Sequence, residues 1–117
     1  MPGGSGQDYA SVALAFTKAL AARDYPGAYG MTSRQFRSGM SMEAMRAAFE
    51  SIVPADWKSV GPVEVGMTME NWPEKQPSDV GWAYVSVGGD VYSEAVTVVV
   101  TLEGRDLRVR SVEFGRP

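Results

Sequence analysis

The sequence predicts an α+β domain in which helices from the first half of the chain pack on an antiparallel sheet from the second half. Two observations predict this class. Apolar residues recur with a helical period as far as Pro54, and beyond it they alternate with polar residues along several segments. The period changes only once, so a run of helices precedes a run of strands. That order is typical of domains whose helices cover one face of the sheet.

Three helices are predicted before Pro54. The first covers residues 8–22, where apolar side chains fall on one helical face. These side chains are Tyr9, Val12, Ala13, Phe16, Ala19 and Leu20. Asp24 as an N-cap and Pro26 in the first turn predict a short second helix, with a further turn around Arg34–Phe36 after it. The third helix follows Ser41, another N-cap residue, and ends before Pro54.

Four strands are predicted after Pro54. In the first, Val63, Val65, Met67 and Met69 alternate with polar residues and are expected on the buried face. The second is "VGWAYVSV", and "GGD" is expected to form a tight turn before the longest strand, Tyr92–Glu103. The turn "EGRD" leads to the last strand, "LRVRSVEF". Its apolar residues change from odd positions, Leu107 and Val109, to even positions, Val112 and Phe114. This change of parity predicts a bulge near Ser111.

The composition excludes several kinds of active site. The 117 residues include no cysteine and no histidine. Disulfides, thiolate zinc sites and cysteine nucleophiles are therefore excluded, and so are Ser-His-Asp triads and imidazole metal sites. No metal ion or cofactor is expected, and any catalysis would depend on carboxylates, tyrosines, lysines or arginines.

The charge balance indicates the kind of partner. With 14 acidic and 11 basic residues, the net charge is -3. Proteins that bind nucleic acids or anionic membranes usually carry an excess of Lys and Arg. This chain carries an excess of acidic residues, so neither kind of partner is expected to bind it. The longest apolar run, near residue 98, is far shorter than the ~20 residues of a membrane helix. A basic protein partner or a small neutral ligand is expected instead.

The opening "MPGGSGQ" predicts a flexible tail over residues 1–7, followed by one domain over residues 8–117. This opening has neither the basic region nor the apolar region of a signal peptide. The expected compartment is therefore left open between the cytoplasm and export with a signal segment outside this sequence.

Four segments carry a resemblance to a known family. They are "ALAARDYPGAYGM" at the end of the first helix, "TSRQF", "SMEAMRAAFESI" and the final "VRSVEFG". In this order they resemble the NTF2-like (cystatin-like) superfamily, in a bacterial branch, from about Tyr9 to Phe114. The resemblance implies a cone of curved sheet closed by helices, with the short second helix crossing the mouth. It also implies a homodimer formed through the sheet, for which Ala95, Thr97, Val99 and Thr101 would provide a face of small side chains.

The resemblance implies a conical pocket, and its candidate ligand-binding residues are mostly aromatic. Tyr25 and Tyr29 would lie near the mouth, while Trp57, Trp82, Tyr84 and Glu94 would contribute to the wall. Large rings that also offer one hydrogen bond suit a small neutral ligand. The same rings could instead be core residues.

Three further residues are candidates for binding a protein partner. Trp72, in "ENWPEKQP", would either anchor a partner or fold back over the sheet. Arg108 and Arg110 alternate outward on the last strand, where they would either hold an acidic partner or face solvent.

The favoured function is a non-catalytic binding or accessory domain with no catalytic residues. One alternative is an isomerase-type enzyme that uses Glu94 or Glu113 with a tyrosine, which requires a buried carboxylate with a raised pKa. A second alternative is an immunity protein that neutralises a basic toxin, a role found among NTF2-like folds.

Overall fold

Four helices precede four strands along the chain. The computed structural model describes residues 5–57, 60–89 and 93–115, with side chains from Tyr9 onward. The elements are α1 Ser5–Ala21, α2 Tyr25–Tyr29, α3 Arg34–Gly39, α4 Met42–Ile52, β1 Val63–Met69, β2 Asp79–Val87, β3 Glu94–Glu103 and β4 Asp106–Phe114. The strands form one antiparallel sheet in the order β1-β2-β3-β4. The predicted α+β class and the predicted order of elements are confirmed.

The helices differ from the prediction in their number and in the residue at which the first of them begins. α1 begins at Ser5 rather than near Asp8, and residues 1–4 of the predicted tail lie outside the described residues. The turn expected around Arg34–Phe36 is a separate helix, α3. It forms because the Ser33 hydroxyl accepts the Phe36 N–H at 3.1 Å and so caps a new N-terminus. The chain therefore has four helices in its described residues, not three.

Between α1 and α4 the chain forms two short helices instead of one long one, and the segment that joins them follows the edge of the sheet. The predicted caps are confirmed: Asp24 accepts the Gly27 N–H at 3.1 Å, and Ser41 accepts the Ala44 N–H at 3.1 Å. Between α2 and α3, residues 31–33 run beside β4 and exchange two backbone hydrogen bonds with Val109, of 2.9 and 2.8 Å. This segment protects an edge that would otherwise expose unpaired backbone groups.

The core lies between the helices and one face of the sheet. Phe16 and Leu20 of α1, Met45 and Phe49 of α4, and Val53 are fully buried there. The sheet contributes Ala83, Val85, Val87, Val96, Val98, Val100 and Val109 to the same cluster. The helices therefore pack directly on this face of the sheet, and the conical pocket implied by the resemblance stays a prediction.

Tyr9 of α1 packs directly on Gly81 of β2, where an added Cβ atom would overlap the tyrosine ring. We expect Gly81→Ala to lower the free energy of unfolding by about 1–3 kcal/mol, because the helix must shift away from the sheet. Urea denaturation would measure the loss. Gly39→Ala is the matched control, since a Cβ at this α3 position meets no atom within 4 Å. Equal stability of the two variants would contradict the prediction.

A bulge in β1 reverses the predicted faces of its second half. The β1–β2 register shifts between Val65 and Met67, so Met67 pairs with Tyr84 and Met69 pairs with Trp82. The prediction that Met67 and Met69 share the buried face of Val65 is therefore wrong, and 53% of Met67 is exposed. The extra residue of the bulge turns the following side chains to the opposite face.

The bulge predicted in the last strand is confirmed close to its expected position. The register of β3 and β4 shifts between Val99 and Val100, which leaves Arg110, the neighbour of Ser111, as the extra residue. The connection from β2 to β3 spans residues 88–93, because Val87 pairs with Glu94. Residues 90–92 lie outside the described residues, so the last residue of the predicted turn Gly88–Asp90 and the predicted strand start at Tyr92 fall there.

Candidate functional site

The outer face of the sheet, which we define as the face turned away from the helices, carries two of the predicted pocket residues. Side chains alternate along β2, and Val85 belongs to the face that packs on the helices. Trp82 and Tyr84 therefore lie on the outer face. The expectation that they contribute to the wall of a cavity with Tyr25 and Tyr29 near its mouth is corrected, because the sheet separates the two pairs.

A recess of about 230 Å³ lies on the outer face, between the loop of residues 70–78 and strands β2, β3 and β4. Its lining includes Trp72, Glu74, Trp82, Ser111 and Glu113. Trp72 takes the second of its two expected positions, folded back over the sheet, and it is half-buried. The loop and the sheet thus bring two tryptophans and two carboxylates to one concave site.

A buried ion pair fixes the loop beside this recess. Arg110 donates from Nε and Nη2 to the two carboxylate oxygens of Asp79, each at 2.7 Å. The Asp79 side chain is fully buried and that of Arg110 is 12% exposed. Asp79 also accepts the Gln76 N–H at 2.8 Å, which ties the end of the loop to β4. The expectation that Arg110 faces solvent is therefore wrong, because its guanidinium is paired with the buried Asp79.

The surroundings of Asp79 stabilise its charged form. Burial by itself would raise the pKa of Asp79, but hydrogen bonds from Arg110, the Gln76 N–H and Thr101 outweigh burial and hold the pKa below its ordinary value. The carboxylate is thus ionised at neutral pH and compensates the Arg110 charge.

This lowered pKa predicts a one-sided pH dependence of stability. The contribution of Asp79 is complete above its unfolded pKa of about 4, and it is lost as the pH falls through the lower folded value. The chain has no histidine, so we expect the free energy of unfolding to be nearly flat from about pH 5 to pH 8 and to fall below about pH 4. Urea denaturation at several pH values would measure this profile. A steep change between pH 5 and pH 8 would contradict it.

The predicted dimer face is already covered within the chain. Ala95, Thr97, Val99 and Thr101 are exposed by only 1%, 7%, 7% and 6%. Their strand neighbours carry larger side chains, since Trp82 pairs with Val99 and Tyr84 pairs with Thr97. The homodimer stays a prediction, but these four small side chains do not offer it a free surface.

A hydrogen-bond network holds α2 against the end of α4 on the helical side. The Tyr25 hydroxyl donates to Glu50 Oε2 at 2.9 Å and accepts from Arg23 Nη1 at 3.2 Å. Arg23 also donates to the carbonyls of Val53 and Pro54, at 3.1 and 2.8 Å. Tyr25, a predicted pocket residue, is buried in this network.

The network contains a carboxylate that is hydrogen-bonded to a tyrosine, but the pKa of this carboxyl group shifts in the opposite direction to the one that the isomerase hypothesis requires. The hydrogen bond from Tyr25, together with the Arg46 charge, lowers the pKa of Glu50, while burial raises the pKa of Tyr25. A general base at neutral pH needs a raised carboxyl pKa. The Glu50–Tyr25 pair therefore lacks the raised carboxyl pKa that the isomerase hypothesis requires. Glu113, one of the two candidate bases, lies in the outer-face recess.

The remaining predicted site residues are not among those that line the outer-face recess. Tyr29 of α2 donates its hydroxyl at 2.9 Å to the carbonyl of Met40, the C-cap residue of α3. Trp57 packs against the core, and its ring would overlap a Cβ atom at Gly89. Arg108 donates to the Gly30 carbonyl at 2.7 Å, at the end of α2. Glu94 is half-buried at the start of β3.

The described residues contain no group of three or more acidic side chains positioned to hold a metal ion. None of the helices within those residues is long and apolar enough to cross a membrane. Comparisons of the chain with protein-family models, curated proteins and solved structures find no match. The resemblance to the NTF2-like superfamily therefore stays a prediction.

Proposed function

We propose that this domain is a non-catalytic binding module that engages a basic protein partner through the outer face of its sheet. The observation that carries the proposal is the recess in which Trp72 and Trp82 lie, each half-buried. Partly exposed tryptophans in a concave site are typical anchors of protein interfaces. Met67, which is 53% exposed, extends the apolar surface along β1.

The charges of the outer face favour a basic partner. Glu64, Glu74 and Glu113 are exposed on this face or at the rim of its recess, and none of them forms an ion pair with another described residue. The Arg110 charge is compensated by Asp79. With a net charge of -3, the chain would also steer a cationic protein toward itself at low ionic strength.

A binding surface on the outer face agrees with the predicted immunity protein, but it lies away from the predicted pocket for a small neutral ligand. An immunity protein that binds a basic toxin is one form of the proposed function. A small neutral ligand between helices and sheet stays a prediction, but the packed side chains of that region favour the outer face as the binding surface.

Site-directed photo-cross-linking would test the proposal in cells of the source organism. A benzophenone amino acid at position 67 should form an adduct with a protein rich in Lys and Arg. The same group at Ala47, an exposed position of α4 on the helical side, is the matched control and should not form that adduct. Adducts only between two copies of this chain, or equal adducts at both positions, would contradict the proposal.

The identified partner should then bind the purified chain, and Trp72→Ala should weaken the dissociation constant by about tenfold or more. Isothermal titration would measure the change. Trp57→Phe, on the core side, should leave the affinity within about twofold, since conservative changes away from an interface have small effects. An unchanged affinity for Trp72→Ala would contradict an interface centred on the recess.

A further inference from the structure

We propose that the recess beside Trp72 and Trp82 takes a single cationic side chain, of arginine or lysine, that the protein partner presents. This inference rests on the proposed function and names the chemical group that the outer face recognises. It follows from the aromatic rings, the charges and the size of the site.

Aromatic rings in the recess favour a cation. Trp72 and Trp82 both line it, and the face of an indole ring attracts an ammonium or guanidinium group more strongly than other side-chain rings do. Trp72 already makes such a contact, because Lys75 Nζ lies 5.7 Å from its ring centroid. Lys75 is not among the lining residues, and its ammonium donates to the Glu70 carbonyl at 2.7 Å. The Lys75 ammonium therefore contacts Trp72 without lining the recess.

The charges at the recess favour the same group. Glu74 and Glu113 line it, and within the described part of the chain neither is paired with a cation. Arg110 also lines the recess, but its bidentate bond to the buried Asp79 cancels its charge. A cation entering the recess would thus meet two carboxylates that have no ion-pair partner, against the single positive charge of Lys75 at the Trp72 ring.

The size of the recess suits one side chain. Its volume is about 230 Å³, which is below the roughly 300–1,000 Å³ of pockets that enclose drug-sized ligands. When a partner protein presents that side chain, the partner residues beside it can also contact the sheet face around the recess, where Met67 of this chain is exposed. The recess therefore acts as the anchor point of a wider interface.

NMR titration of the full chain with short blocked peptides would test this inference. The probes are acetyl-Gly-Arg-Gly-amide and its Gln and Glu counterparts at equal ionic strength. The indole N–H signals of Trp57, Trp72 and Trp82, assigned through single Trp→Phe variants, are the readout. At millimolar peptide, we expect the Arg peptide to shift the Trp72 and Trp82 signals but not the Trp57 signal. Its affinity should exceed that of the Gln peptide by about tenfold.

Charge variants separate recognition of the cation from simple apolar contact. Glu74→Gln with Glu113→Gln should reduce the preference for the Arg peptide to about twofold or less, because the rim carboxylates are gone. Glu64→Gln removes an exposed acid of the same sheet face outside the recess, and it should leave the preference unchanged. Equal affinity for the Arg and Gln peptides, stronger binding of the Glu peptide, or no shift with any peptide would overturn the inference.

The cross-linking experiment and the peptide titration distinguish failure of the two proposals. An adduct with a basic partner at position 67, together with equal affinity for the Arg and Gln peptides, would retain the proposed function and overturn the cationic anchor. Shifts specific to the Arg peptide, without any partner adduct, would retain the cation site and overturn the protein-binding function.

Discussion

Replacing Asp79 with asparagine should lower the free energy of unfolding by about 3–5 kcal/mol, the usual cost of removing one member of a buried ion pair. The variant would leave the Arg110 guanidinium, which is largely buried, without its counter-charge. It would also weaken the bond from the Gln76 N–H that ties down the 70–78 loop. Urea denaturation would measure the loss, and the melting temperature should fall by roughly 10–20 °C.

The chain contains a matched control for this ion pair. Asp106 lies 3.5 Å from Arg108, but its side chain is 69% exposed. Asp106→Asn should cost at most about 1 kcal/mol, because solvent screens an exposed pair. Combining Asp79→Asn with Arg110→Met should recover part of the lost stability, since no unpaired charge then remains buried. Equal losses for Asp79→Asn and Asp106→Asn would show that the buried pair contributes no more than an exposed one.

Phe49→Ala should lower the free energy of unfolding by about 3–5 kcal/mol, the range for deleting a buried aromatic side chain. Phe49 is fully buried where α4 packs toward the sheet, and the Arg23 guanidinium lies 5.5 Å from its ring centroid. The substitution would leave a cavity and remove the aromatic ring that contacts the Arg23 guanidinium. Urea and thermal denaturation would both measure the loss.

Two further variants show whether the loss comes from the buried volume. Phe49→Leu keeps much of that volume and should lose clearly less stability than Phe49→Ala. Ala47→Ser changes an exposed position of the same helix and should stay within about 0.5 kcal/mol of the parent chain. A loss below about 1 kcal/mol for Phe49→Ala would contradict the packing described for the core.

Local signals predicted several parts of this fold. The capping hydroxyl of Ser41 and the capping carboxylate of Asp24 act within three residues of their own positions, so the sequence alone shows where these helices begin. The parity change in "LRVRSVEF" predicted the bulge beside Ser111 for the same reason. By contrast, no parity change marks the β1 bulge, because Met67 and Met69 continue the apolar alternation through it.

The candidate site was predicted only in part. Trp72, Trp82 and Arg110 were identified as candidates, but they were assigned to different places. Period-two alternation divides the side chains of a strand into two sets, and it does not show which set the helices cover when both are apolar or aromatic. Glu74 was missed because nothing nearby in the sequence distinguishes it from any other exposed loop acid.

The sequence by itself determined the class of the domain, the order of its elements, the helix caps at Asp24 and Ser41, and the exclusion of chemistry that needs cysteine or histidine. Only the tertiary structure decided which sheet face meets the helices and where the 70–78 loop folds. It also paired Asp79 with Arg110, 31 residues away along the chain. The physical reason is range: caps and periodicity act between neighbours in sequence, whereas burial and charge pairing depend on which distant segments the fold brings together.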